Sequence, residues 1–158
     1  MSMRVHVIAA AAAISFAAAG LAATTLPRDK ALAVMHDRHE GMETIGKTNK
    51  VLHRELDSAT PNLGVVRQSA AQLQQLSRKA SGWFAAGTGP ELGKTGAKPE
   101  IWQDPKDFSA KLAAFQKAAQ MFNDAARRGD LAAIKARYGD LGGTCKACHD
   151  KYRMDMHH

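Results

Sequence analysis

Two thiols three residues apart, with an imidazole directly behind them, constrain the fold of this chain more than any other feature. The 158-residue sequence has two cysteines, and both lie in the run Gly143-Thr144-Cys145-Lys146-Ala147-Cys148-His149-Asp150. That spacing is the one used for covalent attachment of c-type haem, in which the thiols add to the vinyl groups of the porphyrin. On a helix Cys145 and Cys148 stand one turn apart on one face, so both sulfurs reach neighbouring edges of a single ring. His149 then supplies the proximal nitrogen to the iron. A disulfide or a thioredoxin-like redox pair uses the same cysteine spacing, but the redox pair wants a βαβ setting in which the cysteines open a helix. A zinc site needs two further ligands at finger spacing, and no other pairing of histidines supplies them.

The opposite end of the chain agrees with the motif. Met1-Ser2-Met3-Arg4-Val5-His6 leads into an apolar run from Val7 to Ala19 and then into Gly20-Leu21-Ala22-Ala23. A basic start, a short apolar middle and a small-residue exit describe a secretory signal peptide. The run is short for a membrane span. Cleavage is expected after Ala22, with Ala19 as the other option, leaving residues 23–158 as one domain in the periplasm, outside the reducing cytoplasm, where c-type haem is assembled. Removing residues 1–22 takes away only Arg4 of the 22 basic side chains, so 21 face 15 acidic ones, a formal +6. A basic surface steers acidic partner proteins or anionic lipid head groups toward it. Nucleic acid is excluded as a partner, since an exported chain has no basic run interleaved with aromatics.

Between the two ends the periodicity is helical. From about residue 28 to 56 there is no proline, and Leu32, Met35, Met42, Ile45, Asn49, Leu52 and Leu56 recur at intervals of three, four and seven, the seam of a packed helix. Gly41 and Gly46 each weaken that helix by about 1 kcal/mol relative to alanine, so packing must hold it. Thr60-Pro61 predicts the next start, with Thr60 as cap and Pro61 in the first turn. The inner stripe of that helix is Leu63, Val66, Ala70, Leu73, Leu76 and Ala80, and it ends near Gly82. From Trp83 to Gln103 no period survives, and an ordered loop of about twenty residues is expected. Trp83, Phe84, Ile101 and Trp102 argue for order, because they would otherwise stand in water.

Asp104-Pro105 opens a third long helix with the seam Phe108, Leu112, Phe115, Ala119, Phe122 and Ala126, ending in Arg127-Arg128-Gly129. Asp130 caps a fourth, whose seam is Leu131, Ile134, Tyr138, Leu141, Cys145, Cys148 and Tyr152. Gly139, Gly142 and Gly143 interrupt its propensity just before the motif and are read as room for a porphyrin rather than as a helix end. Four amphipathic helices joined by two short connections and one long one predict an all-α, antiparallel four-helix bundle. Cofactors in bundles sit between facing helices, so the haem belongs in the core, attached to the fourth helix and facing the first.

With these residues assembled, the mature chain resembles the class II c-type cytochromes, the cytochrome c-prime family, over essentially its whole length. The resemblance is carried by Cys145-Lys146-Ala147-Cys148-His149-Asp150-Lys151-Tyr152-Arg153, with Arg38-His39-Glu40-Gly41-Met42 and Lys98-Pro99-Glu100-Ile101-Trp102 in support. It implies exported four-helix bundles with one haem c near the C-terminus, often paired as homodimers through the first two helices. It also implies that Arg38 and Arg153 approach the haem propionates and that Trp83 and Trp102 pack near the haem edge. The arginine expectation agrees with the cost of burying a carboxylate without a guanidinium partner. The alternatives are a solvated helix face for the arginines and ordinary core packing for the tryptophans.

By the same resemblance Met42 matches the position facing the open side of the iron. There a methionine either ligates, giving a low-spin iron of raised potential, or shields an empty site. The continuation Met42-Glu43-Thr44-Ile45-Gly46-Lys47 looks more like the low-spin branch. The expectation is therefore an electron carrier with His149 and Met42 on the iron and redox proteins as partners. The alternative is a five-coordinate haem that takes nitric oxide or carbon monoxide, with Met42 only a shield. An enzyme is not expected, since no distal histidine and arginine pair can be placed. His39 is a weaker rival to Met42, and His36, His53, His157 and His158 read as surface groups.

Overall fold

The computed structural model describes residues 26–154. The expected signal peptide, His157 and His158 lie outside the described residues. Helix α1 spans Arg28–Asp57, α2 Leu63–Lys79, α3 Glu100–Gln103, α4 Pro105–Arg128 and α5 Leu131–Tyr152, with a 3-10 turn at Ala80–Phe84. The caps explain most boundaries. Asp104 accepts the Asp107 amide, Pro105 follows it in the first turn, and Gly129 closes α4 with φ of 81°. The Asp130 carboxylate accepts the amides of Ala132 at 3.0 Å and Ala133 at 3.3 Å. At the start of α2 the cap is Asn62 rather than the expected Thr60: its Oδ1 accepts from Gly64 at 2.9 Å and Val65 at 3.2 Å. Asparagine is among the strongest caps, and Glu55 at the end of α1 accepts the Asn62 amide at 3.1 Å, which fixes the turn two residues later.

Four long helices form the bundle, and α5 runs unbroken through Gly139, Gly142 and Gly143. All three glycines are exposed, and a Cβ on any of them would meet no protein atom within 4 Å. Close packing joins α1 to α2, α2 to α4 and α4 to α5, whereas α1 and α5 are not such a pair. The core is built from Leu52, Leu56, Val66, Leu73, Phe115, Phe122, Ile134 and Leu141, with alanines such as Ala70, Ala119 and Ala126 letting the backbones approach. Between α1 and α5 the named tie is Tyr138, whose hydroxyl donates to Asn49 Oδ1 at 2.8 Å.

The long connection is ordered, as expected. Trp102 Nε1 donates to the carbonyls of Phe84 and Ala85, at 3.2 and 3.0 Å. Residues 96–98 pair with the end of α5, Lys98 N donating to Tyr152 O and Met154 N to Gly96 O. A second apolar cluster of Ala97, Ile101, Phe108 and Tyr152 fills this end of the molecule.

The seam expected on α1 is only half correct. Its buried residues are Ala31, Arg38, Gly41, Thr48, Leu52 and Leu56, while Leu32 is 42% exposed. The first half of α1 packs against the 3-10 turn and the loop, whose partners are an indole face and backbone carbonyls. A stripe of large apolar residues locates a buried face only where the neighbour is apolar too. Among the described residues no helix is long and apolar enough to cross a membrane.

Candidate haem site

Cys145 and Cys148 lie half-buried on α5, one against each apolar cluster: Cys145 packs on the main core and Cys148 on the cluster of Ile101, Phe108 and Tyr152. Burial pushes both thiols above their ordinary range, so neither is the poised thiolate that a thioredoxin-like pair requires. His149 is half-buried, and burial first, then the Arg153 charge, hold its imidazole below the ordinary range. It is neutral at pH 7 and keeps a nitrogen lone pair to give to a metal. Met42 and Ile45 on α1 are half-buried as well. These partly buried side chains stand on two helices that are not closely packed against one another. Two neutral thiols and a neutral imidazole within one turn of α5 fit a thioether-linked haem.

The other expected residues divide. Arg38 is 5% exposed and is no solvated helix face. Its Nη1 donates to Trp83 O at 3.1 Å and Thr88 Oγ1 at 3.2 Å, and its Nη2 to Thr88 O at 2.9 Å and Thr95 Oγ1 at 3.0 Å. Four of its five N–H groups are therefore engaged with the loop. Trp83 is buried across α1 at Gly41, and Trp102 is half-buried beneath Arg38, its ring centroid 5.8 Å from the guanidinium carbon. Arg153 is exposed and lies one turn beyond His149, close enough to depress the imidazole. His39 is exposed and 3.7 Å from Glu43, and His53 is exposed and paired with Asp57. His36 is exposed too.

Two features escaped sequence reading. Thr88 and Thr95 hold Arg38 from loop positions with no period or motif to mark them. Lys151, the second residue after the haem-site histidine, reaches Asp104 and Asp107 at 2.9 Å each, and the Tyr152 hydroxyl donates to Asp107 at 2.6 Å. That network ties the end of α5 to the cap of α4. A separate groove of about 560 Å³, lined by Phe84, Trp102, Phe108, Leu112 and Gln116 among others, touches none of Cys145, Cys148, His149 or Met42.

Comparison with known proteins now adds to this geometry. A family profile described as Cytochrome C' matches residues 33–153. The cytochrome c' of Alcaligenes xylosoxydans xylosoxydans is 48% identical over 71 residues, covering 45% of this chain and 54% of that protein, so the match spans about half of that relative. The cytochrome c' of Rhodospirillum rubrum is 37% identical over 114 residues, 72% of each chain. Among solved structures, a cytochrome c' described by its ligand-controlled dimer dissociation superposes with a TM-score of 0.72 at 26% identity, covering 84% of this chain and 100% of the other. A ferrous variant of the Alcaligenes xylosoxidans cytochrome c prime with nitric oxide bound gives 0.72 at 28% identity, covering 80% and 97%. These relatives do not support the methionine-ligated, low-spin branch expected from Met42-Glu43-Thr44-Ile45-Gly46-Lys47, because cytochromes c' are typically high-spin. Methionine at that position suits a shield as well as a ligand, and the residues after it do not separate the two. A family match from one end of the bundle to the other, on a fold whose last helix carries paired free thiols and an imidazole, makes this chain a member of the cytochrome c' family, haem proteins that carry one covalent haem c and bind gases or transfer electrons without being enzymes.

Proposed function

We propose that the protein is an exported, five-coordinate haem protein that binds nitric oxide or carbon monoxide. Cys145 and Cys148 would carry the porphyrin, His149 would be the protein's ligand to the iron, and Met42 would act as a shield rather than a ligand. The observation that carries this reading is the nitric-oxide complex of a relative whose fold covers 97% of its length here. The neutral imidazole of His149 suits a proximal ligand, and an apolar thioether next to an open iron admits small diatomic molecules while offering no proton or charge to larger ones. The haem supplies the ligand-binding metal; the chain's contribution is to hold it through α5 and to restrict access from α1.

Cleavage after Ala22 and residence of residues 23–158 in the periplasm belong to the same proposal, supported by the signal-like start of the sequence. A homodimer through α1 is supported by Leu32 on that helix and Leu26 just before it, 42% and 38% accessible, and by the dimer named for the related structure. An acidic redox protein suits the basic surface of the mature chain.

Optical spectra of the ferric and ferrous holoprotein, with and without carbon monoxide, test the reading. A high-spin ferrous spectrum that shifts on adding carbon monoxide is expected, and Met42→Ala is expected to leave the spin state unchanged. A low-spin spectrum indifferent to carbon monoxide, turned high-spin by Met42→Ala, would mean that Met42 is the sixth ligand.

A further inference from the structure

We infer that the face shared by α2 and α4 is the docking surface for the acidic protein that the charge of the mature chain suits. The inference rests on that partner being acidic and is independent of whether the iron has five ligands or six.

The positive charge is not spread evenly. Residues 58–90, which include α2, hold Arg67, Arg78 and Lys79 and no acidic residue, and residues 108–123 of α4 hold Lys111 and Lys117 and none. Helix α1, by contrast, carries six acidic against six basic side chains and is neutral by itself. Together α2 and α4 carry eight basic against two acidic side chains, an excess of six that equals the formal charge of the whole mature chain. One of the two acids, Asp107, is already engaged with Lys151 and Tyr152 at the start of α4.

The two helices pack directly on one another, and the ties between them neutralise nothing. Arg67 Nε donates to Ala126 O at 3.2 Å, Asn123 Nδ2 to Gln74 Oε1 at 2.9 Å and Gln116 Nε2 to Ser77 O at 3.1 Å. All three acceptors are neutral. Among the described residues none of Arg67, Arg78, Lys79, Lys117, Arg127 and Arg128 has an ion-pair partner; the pairs that do form lie on α1, on α5 and between α5 and the start of α4. Unpaired cations gathered on one face steer an oppositely charged protein toward it and fix its orientation.

The face also has a shape. Between the end of α2 and the middle of α4 lies a recess of about 430 Å³ lined by Arg78, Ser81, Ala113, Gln116, Lys117 and Gln120. Two cations with amide and hydroxyl groups between them suit a carboxylate side chain, which accepts strong hydrogen bonds from charged donors. A lipid surface fits less well, because holding to a bilayer takes apolar side chains as well as charge. Among the described residues the large exposed hydrophobics are Leu26 and Leu32, just before α1 and on it.

The test compares the holoprotein with two double variants of equal net charge: Arg78→Gln with Lys117→Gln on the proposed face, and Lys50→Gln with Lys135→Gln on α1 and α5. All four side chains are exposed, and circular dichroism checks that both variants fold as the parent does. Poly-L-glutamate represents the acidic partner and phosphatidylglycerol vesicles a lipid surface. At low ionic strength the face variant is expected to bind the polymer about fivefold or more weakly than the parent, and the control to stay within about twofold. Carbodiimide coupling of the parent to the same polymer is expected to mark Lys117 ahead of Lys50 and Lys135. Equal losses in the two variants would mean that net charge alone attracts the polymer, and the assignment to this face fails. Vesicle binding that drops in the face variant while polymer binding holds would make this a membrane surface and overturn the protein reading. A parent that binds no polymer even at low salt removes the acidic partner itself.

Discussion

The ring of Trp83 occupies the space that a Cβ on Gly41 would need: such an atom would overlap Cη2 and Cζ2 of the indole. Glycine at 41 is therefore a packing requirement, not a tolerated weakness of α1. Gly46, in the same helix, has nothing within 4 Å of a Cβ. Opposite signs follow for one substitution. Gly41→Ala is expected to destabilise by about 1–3 kcal/mol, as overpacking does, and Gly46→Ala to stabilise by about 0.5–1 kcal/mol through helix propensity. Urea midpoints of the two holoprotein variants check both, and equal signs would mean that Trp83 moves aside freely.

Tyr138 closes α1 onto α5 through Asn49. Tyr138→Phe removes the donor to Asn49 Oδ1 at 2.8 Å and to Asn49 O at 3.2 Å, and a loss of about 0.5–1.5 kcal/mol is expected. Burial raises the folded pKa of this phenol. The associated stability is fully present below the unfolded value, about 10, and disappears as pH rises through the folded one. Urea midpoints from pH 8 to 11 should fall less steeply in Tyr138→Phe than in the parent.

The tie between α5 and the cap of α4 is an acid-sensitive element. Hydrogen bonds from Tyr152 first and Lys151 second hold the Asp107 carboxyl below its usual range, and Lys151 does the same to Asp104. For carboxylates with depressed folded pKa the stabilisation is present above the unfolded value, about 4, and is lost as pH falls through the folded values. Asp107→Asn is expected to lower stability at pH 7 and to flatten its decline below about pH 4. Parallel acid titrations of the two proteins, followed by circular dichroism, check this; identical profiles would remove Asp107 from the acid response.

Replacing Cys145 and Cys148 together by serine should abolish covalent haem. The mature variant, expressed with a working maturation system, should weigh only what its amino acids weigh and lose its Soret band on acid extraction, whereas the parent carries the added mass of the haem and keeps the band. A variant that still carries bound porphyrin would sink the attachment proposed here.

Helices α4 and α5 were legible because their determinants are local. Asp104 and Asp130 cap within a few residues, Gly129 turns the chain with a positive φ, and the stripes from Phe108 to Ala126 and from Leu131 to Tyr152 meet apolar neighbours. Paired thiols and imidazole are legible for the same reason, since their chemistry needs one turn of one helix. Gly139, Gly142 and Gly143 did not end α5, because packing against α4 outweighs the propensity of three exposed glycines.

What residues alone determined, then, is the number of long helices, most of their ends and the chemistry that α5 presents. Tertiary structure decided what α1 does with that chemistry. Arg38 meets partners 45 to 57 residues away, Gly41 is needed only because an indole from the far side of α2 lies on it, and Leu32 turns outward because the loop, not a helix, covers this half of α1. Such contacts depend on how the elements are placed in space, and neither periodicity nor propensity carries that distance.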